Sequence, residues 1–207
     1  MSTCSGPVNN SPQADENSLR TELEPLEFVS PGVFSIHNPS VRVPVATGPV
    51  RTLQLQGPDE LRHQALQLFR QPGRLIRLYS TDFEPWLYSH ADTADACKNF
   101  LLAHENSRLQ VLLRDSRRLV EEGHRLLPLI ERISSRAEIR LVHPDYEIHP
   151  GCWLARDEAA LLLCQLPGNY QGQLFLGQPA RTRPYNEQFD AMWSVARPDI
   201  NLRRMTL

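Results

Sequence analysis

Residues 108–145 read RLQVLLRDSRRLVEEGHRLLPLIERISSRAEIRLVHPD. A strand pattern ending at Asp115 passes into a helical one, then into a second strand, AEIRLVH. Ser116 stands where a helix is capped, and Leu119, Val120, Leu126, Leu127, Ile130 and Ile133 recur at helical spacing. Pro128 removes one hydrogen bond from that helix and is expected to bend it. Strand, helix, strand in this order implies a right-handed crossover and two parallel strands.

The same alternation extends outward in both directions. Upstream, VRTLQLQ alternates as a strand does, and GPDELRHQALQLF follows with Pro58 at the first helical position. Asp59 and Glu60 fall in the first turn, where the helix dipole favours acids. RLIRLYS is a second strand, TDFEPWLY a linker, and a helix is expected from about Thr93 to Glu105. Downstream, GCWLARDEAALLLC reads as two strands joined at Asp157 and Glu158, and QGQLFLG as another. Pro179 opens a last helix with Tyr185, Phe189, Met192, Trp193 and Ala196 on one face, and Pro198 ends it. The expected fold is α/β: a mixed, largely parallel sheet with helices on both faces.

At 207 residues the chain is long enough for one domain with a full core. Residues 1–46, rich in Pro, Ser and Asn, read as a largely disordered, flexible tail, with the α/β domain at 47–207. Within the tail, the segment around Phe28 to Ile36 has the apolar character of a docking arm. If the tail did the work, the domain would be a purely structural module.

Net charge is −2, and Lys98 is the only lysine, so the positive charge is nearly all arginine. Arginine suits carboxylate and phosphate but does not act as a base. No basic stripe interleaved with aromatics appears, which argues against nucleic acid. The cysteines, Cys4, Cys97, Cys152 and Cys164, form no CxxC pair and suit a reducing compartment. No apolar run approaches 18 residues and no leader pattern opens the chain, so no membrane span and a cytoplasmic location are expected.

Ligands of open α/β sheets gather beyond the carboxyl ends of the strands. Those ends bring Asp82, Asp115, His143 and Asp145 towards one edge, with Arg114, Arg117 and Arg118 where a strand passes into a helix. Together with Arg140, these residues make a candidate pocket for an anionic or phosphorylated small molecule. The competing reading makes the acids turn and capping residues, and the arginines members of surface pairs. His143, His149 and Cys152 match no zinc spacing, so no metal is expected. There is no G-x-S-x-G, which argues against a serine nucleophile, and no P-loop or G-x-G-x-x-G, which argues against nucleotide binding, so no cofactor is expected either.

LLRDSRRLVEEGHRLLPLIERISSRAEIRLVHPDY, CWLARDEAALL and FDAMWSVARPDINLRRMTL together resemble a bacterial domain family of unknown function. That family is similar to a single phospholipase D-type module and in some members follows an acetyltransferase domain. The resemblance covers roughly residues 50–207 and implies a phospholipase D-like fold. It also implies a homodimer, since single modules of that superfamily pair, and an acetyltransferase as a partner by analogy. Active phospholipase D-type enzymes carry H-x-K-x4-D, in which histidine attacks phosphorus and lysine neutralises phosphoryl oxygens. With His149 as the nucleophile, the lysine position is Gly151 and the aspartate position Arg156, with Asp157 one place late. With His143 first, Asp145 takes the lysine position and Pro150 the last. The motif is degenerate. The expected function is a non-catalytic domain that binds a partner protein or an anionic ligand. The alternative is a phosphodiesterase or nuclease with His149 or His143 as nucleophile, arginine in place of lysine, and Asp157 as the displaced acid.

Overall fold

The computed structural model describes residues 49–146, 151–165, 168–199 and 202; the expected tail and His149 lie outside the described residues. In chain order the elements are β1 (Arg51–Gln56), α1 (Pro58–Arg70), β2 (Leu75–Ser80), α2 (Pro85–Tyr88), α3 (Ala91–Ala103), β3 (Arg108–Leu113), α4 (Arg117–Glu122) and α5 (Leu127–Arg132). They continue with β4 (Ala137–Leu141), β5 (Cys152–Arg156), β6 (Ala160–Cys164), β7 (Gln171–Leu176), α6 (Pro179–Val195) and β8 (Arg197–Pro198). The eight strands of the described residues join one sheet in the order β1-β7-β6-β5-β2-β3-β4-β8.

The sheet is mixed. β2, β3 and β4 are parallel neighbours, as the strand and helix alternation predicts. The other five pairings are antiparallel, so the parallel share is smaller than expected. The reason lies in the late strand run. β1 has the same direction as β2, as its crossover through α1 requires, but β7, β6 and β5 stand between the two. β1 is therefore an edge strand with mostly exposed residues.

Side chains alternate across the strands and feed two cores. Ile76, Leu78, Val111, Leu113, Leu154 and Leu162 share one with the helices α1 to α5. Tyr79, Leu112, Trp153, Leu161 and Phe175 share the other with Phe189 and Met192 of α6 and with Ala196, which caps that helix. Tyr185 and Trp193 pack against that second core, completing the face expected for the last helix. Trp153 is its hub, 5.9 Å from Tyr79 and 5.6 Å from both Tyr185 and Phe189, ring centre to ring centre. Because both faces are covered, every residue of β5 is buried. Each fully buried Leu, Ile or Phe contributes about 1.5–3 kcal/mol.

Three local expectations are corrected. The helix after β3 is not one bent rod but two short helices, and Gly123 at φ +71° separates them. Pro128 lies in the first turn of α5, where its missing N–H has no helical acceptor to lose. Ser116 occupies the cap position of α4 but makes no side-chain capping bond; the Asp115 carboxylate accepts the Arg117 N–H at 2.9 Å instead. The linker after β2 contains the short helix α2.

Candidate functional site

The parallel register sets Ser80, Leu113 and Leu141 in a row, so the segments that follow emerge at one edge, as expected. Their charges are largely engaged with one another. Arg118 donates to Asp82 at 2.8 Å and to Glu122 at 3.0 Å. Arg117 makes a two-pronged pair with Asp115 and holds that carboxyl below its ordinary range. His143 Nδ1 lies 3.4 Å from Asp145. Arg114 makes no ion pair among the described residues, and its buried Nε has no hydrogen-bond partner. Such exposed pairs contribute about 0–1 kcal/mol each and leave little free charge for a ligand.

Two candidates stand apart from this group. Arg140 belongs to the α6 face, 4.3 Å over the Trp193 ring, donating to Glu138 at 2.8 Å and to the Trp193 carbonyl at 3.1 Å. Strand alternation places it there, away from Asp82 and Asp115. Asp157 sits at the other end of the sheet, because β5 runs antiparallel to β2 and ends beside its start. There its carboxylate accepts the N–H groups of Leu75, at 2.9 Å, and Arg74, at 3.2 Å. It clasps the start of β2, with the Asp157 N–H donating to the Leu75 carbonyl at 2.8 Å.

Beneath the carboxyl edge lies a polar cluster that no sequence pattern announced. Glu84 is 7% exposed, and burial pushes its carboxyl up to about 7. The Ser80 hydroxyl donates to Glu84 Oε2, the Phe83 N–H donates to Ser80 Oγ at 2.6 Å, and the Thr81 N–H reaches Glu84 Oε1 at 3.3 Å. This tight turn holds Phe83 and Glu84 at φ +69° and +30°. Cys152 touches both Glu84 and Cys164, its partner across the β5–β6 ladder; that thiol contact and burial push Cys152 upward. His124 stacks on Phe83 at 4.2 Å, and burial lowers it to about 4, so it is neutral. Burial raises Tyr88 as well. The one usable hint was an acid directly before a proline, between Phe83 and Trp86. Chemically, the cluster can exchange a proton at Glu84 near neutral pH, but among the described residues it contains no cation.

Of the H-x-K-x4-D frame expected from His149, the lysine and aspartate positions are among the described residues. Gly151, at the lysine position, backs onto β6, and a Cβ there would collide with the backbone carbonyl of Cys164. Arg156, at the aspartate position, is buried at the far end of β5. Among the described residues no group of three His, Cys, Asp or Glu side chains could hold a metal ion. Nor is any described helix long and apolar enough to cross a membrane.

A family model described as a domain of unknown function (DUF7931) matches residues 57–205. No curated protein matches the chain by sequence. Among solved structures, Nuc from Salmonella typhimurium, a phospholipase D family member, is similar at a TM-score of 0.54 and 10% identity, over 73% of this chain and 99% of that one. NucT from Helicobacter pylori is similar at 0.52 and 11% identity, over 73% of this chain and 100% of that one. TrmBL2, an archaeal chromatin protein with a novel mode of DNA binding, is similar at 0.50 and 14% identity. That match covers 72% of this chain and 55% of TrmBL2, so the chain spans about half of it. The likeness is one of fold, and the fold is phospholipase D-like.

Proposed function

The chain belongs to the DUF7931 family, and we propose that its phospholipase D-like domain does not cleave phosphodiesters but binds an anionic ligand or a partner protein. The observation that carries this reading is Gly151. The lysine of an active site must project a long side chain at phosphoryl oxygens, and here any side chain would strike the Cys164 carbonyl. Around the same point stand a buried carboxyl and two thiols, with no cation among them. Losing one preorganised donor of this kind costs on the order of 10²–10³ in rate. A homodimer and an acetyltransferase partner follow from the family resemblance alone and belong to the same proposal.

The test is turnover of bis-p-nitrophenyl phosphate by the full chain and by its His149→Ala and His143→Ala variants. No turnover above background in any of the three is expected. Turnover by the parent chain that either variant abolishes would refute the reading and make that histidine a nucleophile.

A further inference from the structure

At the end of the sheet opposite the strand-end acids, a cleft of about 1120 Å³ opens between the end of α1, one face of α3 and the turn between β5 and β6. Its size is that of a small-molecule site. Arg51, Arg70, Arg74 and Arg156 all line it. The ion-paired arginines of the described residues are Arg62, Arg77, Arg117, Arg118, Arg140 and Arg183, so none of these four makes an ion-pair contact with a described residue. At the carboxyl edge Arg117 and Arg118 lie within ion-pair distance of acids; among the described residues these four do not, although Asp92, Asp95 and Asp157 also line the cleft.

Arg156 is the central group. It is 7% exposed, its Nη1–H donates to the neutral side-chain amide oxygen Oε1 of Gln71 at 2.6 Å, and its Nε has no hydrogen-bond partner among the described residues. A guanidinium keeps its proton, so its burial is costly; the charge of the neighbouring Asp157 carboxylate offsets part of that cost without an ion-pair contact, and an anion in the cleft would offset more. Room for its arm is built in. A Cβ at Gly73 would stand 3.0 Å from both Arg156 Cγ and Cδ, and 2.9 Å from Asp157 Oδ2. The Asp157 carboxylate is taken up by the N–H groups of Arg74 and Leu75. The wall beside these charges is apolar: Phe69, Ala96 and Phe100. Asp92 and Asp95 on α3 also line the cleft and disfavour a second negative group on that side.

We infer that this cleft is a binding site for a phosphate monoester with an uncharged, partly apolar body, its phosphate on Arg156 and the three neighbouring arginines. The inference rests on the binding half of the function proposed above and supplies its ligand class and location. Arginine forks fit phosphoryl oxygens in pairs, and the narrow apolar strip of Phe69, Ala96 and Phe100 that reaches the cleft would meet the body.

The experiment is calorimetric titration of the full chain with phenyl phosphate, with inorganic phosphate and benzoate as comparators. Saturable binding is expected, tighter for phenyl phosphate than for either comparator. Arg156→Met should weaken it by at least about tenfold, the loss of one charge-assisted hydrogen bond. Arg74→Ala changes an exposed side chain, tolerates no folding ambiguity, and should weaken it by about threefold through lost local charge. The absence of saturable heat with phenyl phosphate, or affinity that both variants leave unchanged, would overturn the site. Failure of the non-catalytic reading would show elsewhere, as histidine-dependent turnover of the diester, so the two cannot be confused.

Discussion

Replacing Glu84 with Gln keeps the shape of the side chain and removes its charge, so the variant isolates what ionisation at this site costs. The carboxyl titrates at about 7 in the folded protein against an ordinary 4.5. Below pH 4.5 it is protonated in both states and contributes no pH dependence. Between 4.5 and 7 the unfolded chain ionises while the folded chain holds its proton, so stability falls as pH rises, and above 7 the loss is complete. The difference corresponds to about 3 kcal/mol. His124 works in the opposite direction: it is held neutral down to about 4 against an ordinary 6.5, so its contribution is lost as pH falls through that interval. The two nearly cancel in the parent chain between about pH 4.5 and 6.5, which hides both. In the difference between Glu84→Gln and the parent, His124 drops out. Urea unfolding at pH 5 and pH 8 should therefore show the variant gaining about 2.5 kcal/mol relative to the parent between the two conditions, part of the penalty being present already at pH 5. An equal stability difference at both pH values would refute the raised carboxyl and with it the account of the buried cluster.

The other expectations concern the same framework. Gly151→Ala forces a methyl against the Cys164 carbonyl and should cost about 1–3 kcal/mol in urea unfolding, as overpacking does; a neutral result would reopen the lysine position. Asp157→Ala removes the acceptor of two backbone N–H groups at the start of β2 and should cost about 1–3 kcal/mol by the same measurement. In a Cys4→Ser background, Cys97, Cys152 and Cys164 should resist a thiol-specific disulfide reagent until denaturant is added. All three are buried, with Cys97 pushed up to about 12 and Cys152 raised as well.

Much of the framework was legible in local pattern. The spacing of apolar residues located α1, α3, α6 and the strands β2 to β4, and the crossover rule made those three strands parallel. That in turn brought Asp82, Asp115 and His143 to one edge. Periodicity succeeds here because a helix face or a strand face is a property of neighbours in sequence. The turn at Phe83 and Glu84 was hidden for the opposite reason. Positive φ without glycine leaves no compositional mark, and only the packing around Ser80 and Cys152 makes a buried carboxyl there intelligible.

What the amino-acid sequence determined by itself was the class of fold, the elements that build it, and the absence of any H-x-K-x4-D pattern. What only the tertiary structure decided was which charges meet. Arg117 and Arg118 look as available in the sequence as Arg74 and Arg156, yet the first two close on Asp115 and Asp82 while the last two line an open cleft. That difference arises because β5, β6 and β7 enter the sheet between β1 and β2 and carry Asp157 and Arg156 to the start of β2, across more than 80 residues of chain. Pairing of charges depends on distance in space. Local pattern constrains such distances only within an element, and long-range packing sets the rest.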